Sequence, residues 1–169
     1  MKIFKEEQRF NQLWIIVLMV ISTLVPIGLI IKEQTENVNT LSSLETIGLI
    51  ALIILASSFI FVFKLSSRID EKGIYYKFFP FYLKYKLIEW SEINTAYVRT
   101  YDPLGEYGGW GIKGGYFWNK SKGKAINVSG DIGIQLELKN GKKLLIGTQK
   151  QDDAKRILEM YKSKLNTNV

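Results

Sequence analysis

Two stretches near the start of the chain contain no charged residue and consist mostly of apolar ones. Leu13 to Ile31 reads LWIIVLMVISTLVPIGLII, and Thr46 to Phe63 reads TIGLIALIILASSFIFVF. At 1.5 Å per residue each helix would be about 27–28 Å long, close to the ~30 Å hydrocarbon core of a bilayer. The pattern therefore predicts a hairpin of two transmembrane helices, with spans of about 13–31 and 46–63. The first stretch is too long for a secretory signal, and no small-residue cleavage site closes it.

The charges around these stretches predict an orientation. Lys5 and Arg9 precede the first stretch together with Lys2, and Lys64 follows the second, whereas the link 32–45 carries three glutamates and one lysine. Cytoplasmic segments beside membrane spans carry an excess of Lys and Arg. We therefore expect both termini in the cytoplasm and the link on the other side.

Beyond Phe63 the long apolar runs give way to short alternating runs, which are typical of β-strands. The strand candidates are Ile74–Phe79, Tyr82–Trp90, Ile93–Tyr101 and Lys124–Ser129. The stretch from Ile134 to Gly147 alternates cleanly around Asn140-Gly141, the preferred pair for a type I′ turn. It predicts a β-hairpin.

The last part of the chain has the pattern of an amphipathic helix. Thr148 to Gln151 fits a capping box, and two aspartates follow where the helix dipole favours anions. The apolar positions with helical spacing are Ala154, Ile157, Leu158, Tyr161 and Leu165. This stripe predicts a lid packed on the sheet; the alternative is a separate amphipathic helix that binds a membrane.

Together these elements predict an α+β membrane protein. Residues 1–65 would form an N-terminal tail and the transmembrane hairpin. Residues 66–169 would form a cytoplasmic domain of about seven antiparallel strands, a barrel or sandwich capped by the C-terminal helix. That is the outline of a pleckstrin-homology-like (PH-like) domain.

Several phrases in the sequence support this outline by resemblance. RIDEKGIYYKFFP (68–80) and IEWSEI (88–93) resemble bacterial PH-like domains, which often carry an I-x-W-x-x-I phrase. GEYGGWGI (105–112), KAINVSG (124–130) and NGKKLLIGTQK (140–150) are similar to a family of small, uncharacterised bacterial membrane proteins. The resemblance covers most of the chain and implies a location in the bacterial inner membrane. It implies no catalytic residue or activity.

The composition excludes several kinds of chemistry. The chain has no cysteine and no histidine, so disulfides, the usual zinc sites and nucleophiles activated by histidine are impossible. Residues 64–169 hold nineteen Lys and Arg against eleven Asp and Glu, a balance of +8. A basic domain tethered at a membrane is attracted to anionic phospholipid headgroups, at about 1 kcal/mol per well-placed basic residue. Nucleic acid is the other common partner of basic domains, but the tether favours the membrane.

The glycine-rich loop EYGGWGIKGG (106–115) contains a formal G-x-G-x-x-G at Gly109, Gly111 and Gly114. A dinucleotide fingerprint needs a strand before it and a helix that opens at the third glycine. No helical pattern follows Gly114, so we expect no cofactor here. Trp110 would either pack against the domain or face a partner beside Lys113.

Two other stretches mix aromatic residues with lysines. In YFWNKSKGK (116–124) the candidate contacts are Phe117, Trp118, Lys120, Lys122 and Lys124; in KFFPFYLKYK (77–86) they are Phe79, Phe81, Lys84 and Lys86. Aromatic rings at headgroup depth beside lysines are typical of membrane contact. The alternative for the first stretch is a solvated hairpin tip. The alternative for the second is a turn that buries its rings in the domain.

The sequence thus predicts a non-catalytic, membrane-anchored binding or scaffolding module without cofactor or metal. Its partner would be anionic lipid, another membrane protein or a second copy. The alternative is a structural or regulatory subunit of a larger membrane complex that acts through its transmembrane helices. An enzyme that uses Asp, Glu or Lys is a distant alternative. The spans hold no ionisable group, which argues against a pump or transporter.

Overall fold

The computed structural model describes residues 3–36, 41–114 and 122–165, and these form two compact units. One unit, here the sheet unit, combines the residues up to Arg9 with those from Lys64 onward. The other, the helical unit, is Phe10–Phe63. The α+β class predicted from the sequence is confirmed. The predicted division differs at its start, because the residues up to Arg9 belong to the sheet unit and not to a tail.

The helical unit contains two long apolar helices. Helix α1 is Leu13–Glu36, and α2 is Ser43–Ser58, continued by a 3₁₀ turn at Phe59–Val62. A capping box fixes the start of α2, since Ser42 Oγ accepts a hydrogen bond from the Glu45 amide while the Glu45 carboxylate accepts one from the Ser42 amide. Both helices are long and apolar enough to cross a membrane, and almost none of their surface is buried.

The first sheet has four antiparallel strands in chain order. They are β1 Phe4–Arg9, β2 Lys64–Ile69, β3 Gly73–Phe79 and β4 Lys86–Glu89. Arg9 is the register partner of Lys64, and Lys64 is the partner of Phe79. We call the end of the sheet marked by these three residues the helix-connected end, because both chain connections to the helical unit leave from it.

Strand β1 is held in the sheet unit by buried polar side chains. Phe4, Glu6 and Gln8 are buried, and the residues between them are exposed. The Glu6 carboxylate accepts hydrogen bonds from the Thr148 hydroxyl at 2.6 Å and the Gln149 amide at 2.7 Å. Thr148 does not form the predicted capping box with Gln151. Its amide donates to Ile132 O, and its hydroxyl, which donates to Glu6, accepts from the Lys150 amide at 3.1 Å.

The second sheet has five strands in the order β5-β8-β9-β7-β6. They are β5 Ile93–Thr100, β6 Gly111–Lys113, β7 Lys124–Asn127, β8 Ile132–Leu138 and β9 Lys143–Gly147. The described residues thus hold nine strands rather than about seven. The expectation of purely antiparallel pairing is wrong, because β7 and β9 run parallel with Ala125 opposite Leu145, and both residues are fully buried.

The predicted hairpin is present as β8 and β9, but its turn differs from the prediction. The Gly141 amide donates to Leu138 O, so Lys139 and Asn140 are the central residues of the turn. Gly141 follows with φ +79°, in the left-handed region. This is a three-residue loop closed by a glycine bulge, and not the two-residue type I′ turn expected from Asn140-Gly141.

Helix α4, Gln151–Leu165, is the lid predicted from the helical spacing of its apolar residues. Ala154, Ile157, Leu158 and Tyr161 are buried, so the alternative of a separate membrane-binding helix is wrong. The Tyr161 ring lies 5.5 Å from that of Trp90, whose indole N–H donates to Asp70 O at 2.9 Å. The I-x-W-x-x-I phrase therefore serves the core, since Ile88, Trp90 and Ile93 are all buried.

Candidate interaction surface

The connection between β3 and β4, together with the strand residues Phe79 and Leu87 beside it, carries a series of exposed large apolar side chains. One of them, Phe81, also stacks on the buried ring of Phe78, with centroids 6.2 Å apart. Every second residue from Phe79 to Leu87 is large and apolar, and their exposed fractions run from 36% to 68%. The five members, here called the apolar stripe, are Phe79, Phe81, Leu83, Tyr85 and Leu87. The stripe begins at the helix-connected end, because Phe79 is the register partner of Lys64. The predicted burial of the rings in this stretch holds for Phe78 and fails for Phe79 and Phe81.

A half-buried tyrosine, Tyr82, lies beside the stripe and contacts two lysines. Tyr82 packs edge to face against Tyr76, with ring centroids 6.1 Å apart. Lys124 Nζ donates to the Tyr82 hydroxyl at 2.6 Å, and Lys86 Nζ lies 3.8 Å from the centroid of the same ring. The structure thus brings together Lys86 and Lys124, which belong to the two separate aromatic and basic stretches of the sequence.

The lysines of this surface are not neutralised by acidic neighbours. In the described part of the chain, no carboxylate lies within 4.0 Å of the ammonium groups of Lys84, Lys86 or Lys124. An ammonium group over an aromatic face keeps its charge and its capacity to meet an anion. Exposed apolar side chains rimmed by such cations are suited to an interface that is apolar inside and anionic at its surface.

The glycine-rich loop has a different character, because its polar groups are used within the fold. The short helix α3, Pro103–Tyr107, starts at Asp102, whose carboxylate accepts from the Leu104 amide. It ends at Gly108, which has φ +70° and suits the left-handed position after a helix. A helix thus precedes the G-x-G-x-x-G, where a dinucleotide fingerprint needs a strand.

Trp110 and Lys113, two predicted contact residues, are half-buried in this loop and in β6. The Trp110 indole N–H donates to Gly130 O at 3.0 Å, which ties the loop to the turn between β7 and β8. The Gly111 amide donates to Asn127 Oδ1 at 2.9 Å. These hydrogen bonds give Trp110 a role in holding the loop.

Glu106 organises the side of the glycine-rich loop that faces β5. Its carboxylate accepts two hydrogen bonds from the Arg99 guanidinium, at 3.0 and 2.8 Å, and one from the Asp102 amide at 3.0 Å. The hydrogen bonds from Arg99 are the main cause that lowers the pKa of Glu106 to about 2. Lys122, another predicted contact residue, lies 3.6 Å from the same carboxylate, so its charge is partly compensated.

Two tyrosines beneath this ion pair are buried and hydrogen-bonded. The Tyr101 hydroxyl accepts from Asn127 Nδ2 at 2.7 Å, and burial raises the pKa of Tyr101 to about 12. The Tyr107 hydroxyl donates to Lys122 O, and burial is again the main cause that raises its pKa. Both phenols therefore stay neutral at physiological pH and act as packing and hydrogen-bonding groups.

Three predicted contact residues, Phe117, Trp118 and Lys120, lie outside the described residues. The sequence reasoning missed Leu83, Tyr85 and Leu87 as surface residues. Their signal was the alternation in Tyr82–Trp90, which predicts a strand without showing which of its faces meets the core. The predicted strand is too long, because residues 80–85 form a turn and β4 spans only Lys86–Glu89. Nothing in the sequence pointed to the Arg99–Glu106 pair or to the contact of Lys124 with Tyr82.

No protein-family model matches the chain, and no curated protein matches its sequence. The fold itself defines the class: an α+β protein in which two long apolar helices are inserted between neighbouring strands of a sheet. The resemblance to PH-like domains and to a family of bacterial membrane proteins stays a prediction.

Proposed function

We propose that this protein is a non-catalytic binding module anchored in the bacterial inner membrane by α1 and α2. Its sheet unit, which we regard as PH-like, lies at the cytoplasmic face. There the apolar stripe and its lysines contact anionic phospholipid. One observation carries the proposal: the exposed stripe starts at the helix-connected end of the sheet, where the chain leaves for the apolar helices.

The surfaces of the two helices support a membrane span. Core helices of soluble proteins are mostly buried, whereas 6% of the apolar window of α1 and 0% of that of α2 is buried. Hydroxyls of both helices donate to carbonyls of the preceding turn, as a lipid environment favours. Thr23 donates to Met19 O at 2.7 Å and Ser58 to Ile54 O at 2.7 Å.

The pairing of β1 with β2 supports an even number of crossings. Arg9 and Lys64 are register partners, yet the whole helical unit lies between them in the sequence. Both ends of that unit must therefore be on the same side of any membrane that it crosses. The same pairing argues against α1 as a cleaved signal, because cleavage after α1 would detach a strand whose Phe4, Glu6 and Gln8 are buried.

Chain connectivity keeps the stripe near the surface of that membrane. Lys64 follows directly on the helical unit, and Phe79 is its neighbour across the ladder, about 5 Å away. Strand β2 then runs six residues, or roughly 17–20 Å, to the opposite end of the sheet. Lipid contact is thus expected at the start of β2 and not at the turn after it.

A pair of single-cysteine variants tests this expectation, because the chain has no cysteine of its own. Leu83→Cys places an environment-sensitive fluorophore on the apolar stripe. Glu71→Cys places it in the exposed turn after β2, at the opposite end of the sheet. Each labelled full-length protein is put into nanodiscs of zwitterionic lipid, or of the same lipid mixed with phosphatidylglycerol. A fraction of the lipid carries a quencher near the headgroup.

We expect quenching and a blue shift for the probe at position 83, both stronger with phosphatidylglycerol, and neither for the probe at position 71. Equal quenching of the two probes, or none at position 83, would contradict the proposal. Quenching that does not depend on the anionic lipid would support the apolar contact with the membrane and contradict the proposed attraction of the lysines to anionic headgroups. Enzymatic activity of the purified chain would overturn the non-catalytic assignment.

A further inference from the structure

Strand β5 lies at the edge of its sheet, and within the described residues it pairs with another strand on one side only. That strand is β8, and β5 is the first strand in the order of its sheet. The Tyr101 amide donates to Asp131 O. Because every second residue of an antiparallel strand forms the hydrogen bonds to its neighbour, the amides and carbonyls of Arg99 and Tyr97 also point toward β8. The amides and carbonyls of Ala96 and Val98 therefore point outward. Within residues 3–36, 41–114 and 122–165, no strand pairs with this edge.

A groove of about 1060 Å³ runs between this edge and helix α4. Its apolar lining comes from Ala96 and Val98, both half-buried, from Leu158 and Leu165, and from Met160, which is 43% exposed. An outward row of backbone donors and acceptors beside an apolar groove has the geometry that adds an extended peptide as a further strand. In that mode the backbone supplies the pairing, and alternate side chains of the peptide enter the groove.

The charged residues that line the groove indicate which kind of peptide would bind there. Three cations line it, Lys155, Arg156 and Lys162, against one carboxylate, Glu159. Lys162 already pairs with Glu159 at 3.1 Å, and Arg156 pairs with Asp153 at 3.2 Å. No carboxylate of the described residues lies within salt-bridge distance of Lys155. A carboxylate on the bound segment is the complement that Lys155 lacks.

We propose that the groove between β5 and α4 binds an extended acidic segment of a partner protein. The segment pairs with the outward backbone groups of Ala96 and Val98 and places a carboxylate near Lys155. The groove and the apolar stripe use different residues, so this binding does not depend on lipid contact.

Selection of random decapeptides displayed on phage provides the probe. The target is the full-length chain in nanodiscs of zwitterionic lipid, which removes competition from anionic headgroups. Lys155→Glu is the counter-target, and Lys142→Glu, the same charge change in the exposed turn between β8 and β9, is the control. Both substitutions are at exposed positions and leave the core intact.

We expect acidic peptides to be enriched on the native chain and on Lys142→Glu, and their affinity to fall roughly fivefold or more on Lys155→Glu. The best peptide is then synthesised with N-methyl groups on alternate amides in two registers. One register should abolish binding and the other spare it, because only alternate amides face the strand. Binding should slow hydrogen exchange at the amides of Ala96 and Val98.

Three results would overturn the proposal. The first is no enrichment on the native chain beyond that on Lys155→Glu. The second is an equal effect of the two N-methyl registers. The third is binding that leaves exchange at Ala96 and Val98 unchanged, which would place the peptide elsewhere or mean that it binds in another conformation.

Discussion

Lys124 Nζ lies 2.6 Å from the hydroxyl of Tyr82, although Lys124 lies in the second sheet and Tyr82 lies between two strands of the first. Tyr82 belongs to the connection that carries the apolar stripe, and Lys124 begins β7. The contact makes one surface from two stretches that are both aromatic and basic in sequence. It also adds a cation to a region where no carboxylate of the described residues lies within 4.0 Å of the Lys84 or Lys86 ammonium group.

Lys84 and Lys86, which alternate in sequence with members of the apolar stripe, should provide most of its preference for anionic lipid. We expect Lys84→Gln and Lys86→Gln each to weaken that preference by about 1 kcal/mol, or roughly fivefold. The measurement is the fraction of phosphatidylglycerol needed for half-maximal quenching of the probe at position 83. Lys139→Gln and Lys142→Gln, in the exposed turn between β8 and β9, are the matched controls. A shift of the same size in the controls would mean that net charge alone matters.

The buried carboxylate of Glu6 should be a large contributor to the stability of the sheet unit. Glu6→Ala leaves the Thr148 hydroxyl and the Gln149 amide without their acceptor, and we expect a loss of about 2–3 kcal/mol. Glu7→Gln is the neighbouring control. Its side chain is 62% exposed, and its ion pair with Lys64 should contribute less than about 1 kcal/mol. Denaturant unfolding of the full chain in micelles, followed by tryptophan fluorescence, compares the two; equal losses would contradict the role of Glu6.

The ion pair of Arg99 and Glu106 should make stability depend on acid pH. The pKa of Glu106 is lowered from 4.5 to about 2, so its stabilisation is complete above pH 4.5 and disappears as the pH falls toward 2. We expect Glu106→Gln to cost about 1.5–3 kcal/mol near neutral pH and progressively less between pH 4.5 and 2. The free energy of unfolding of both proteins is measured across that range. A difference that does not change with pH would show that the charge of Glu106 is not the cause.

The same substitution at two tryptophans should have different costs. Trp90→Phe removes a donor to Asp70 O deep in the core and leaves a cavity, so we expect a loss of about 2–3 kcal/mol. Trp110→Phe removes a donor to Gly130 O, which is exposed and can bond to water, so we expect less than about 1 kcal/mol. Trp110→Phe should also leave quenching at position 83 unchanged. A change in the quenching at position 83 would indicate that Trp110 belongs to the lipid-contact surface.

The elements with a strong period were predictable from the sequence. The two uncharged stretches predicted the helices, the alternation from Ile134 predicted the β8–β9 hairpin, and the spacing from Ala154 predicted the lid. The two stretches were recognised by their length and continuous apolar composition. In the hairpin and the lid one face is apolar and the other polar, so the pattern predicts both the element and its buried side. The sequence argued against a dinucleotide site from the lack of a helical pattern after Gly114, and the structure adds that a short helix precedes the glycines.

Strand β1 was not predictable, because its buried face includes Glu6 and Gln8 and so lacks an apolar alternation. Those side chains are buried because Thr148, Gln149 and Gly147 O supply their partners from the other end of the chain. The apolar stripe shows the opposite case. Its alternation is clear, but the period alone does not say that Leu83 and Tyr85 face away from the core.

The insertion of the helices between β1 and β2 sets an order of events during synthesis. Strand β1 leaves the ribosome first, and its neighbour in the sheet is translated only after both helices have been made. If the helices enter a bilayer as proposed, β1 waits unpaired at the membrane until that insertion is finished. Completion of the sheet then requires both ends of the helical unit to be on the same side of that membrane, and a chain that crosses it only once would leave β2 without its neighbour β1.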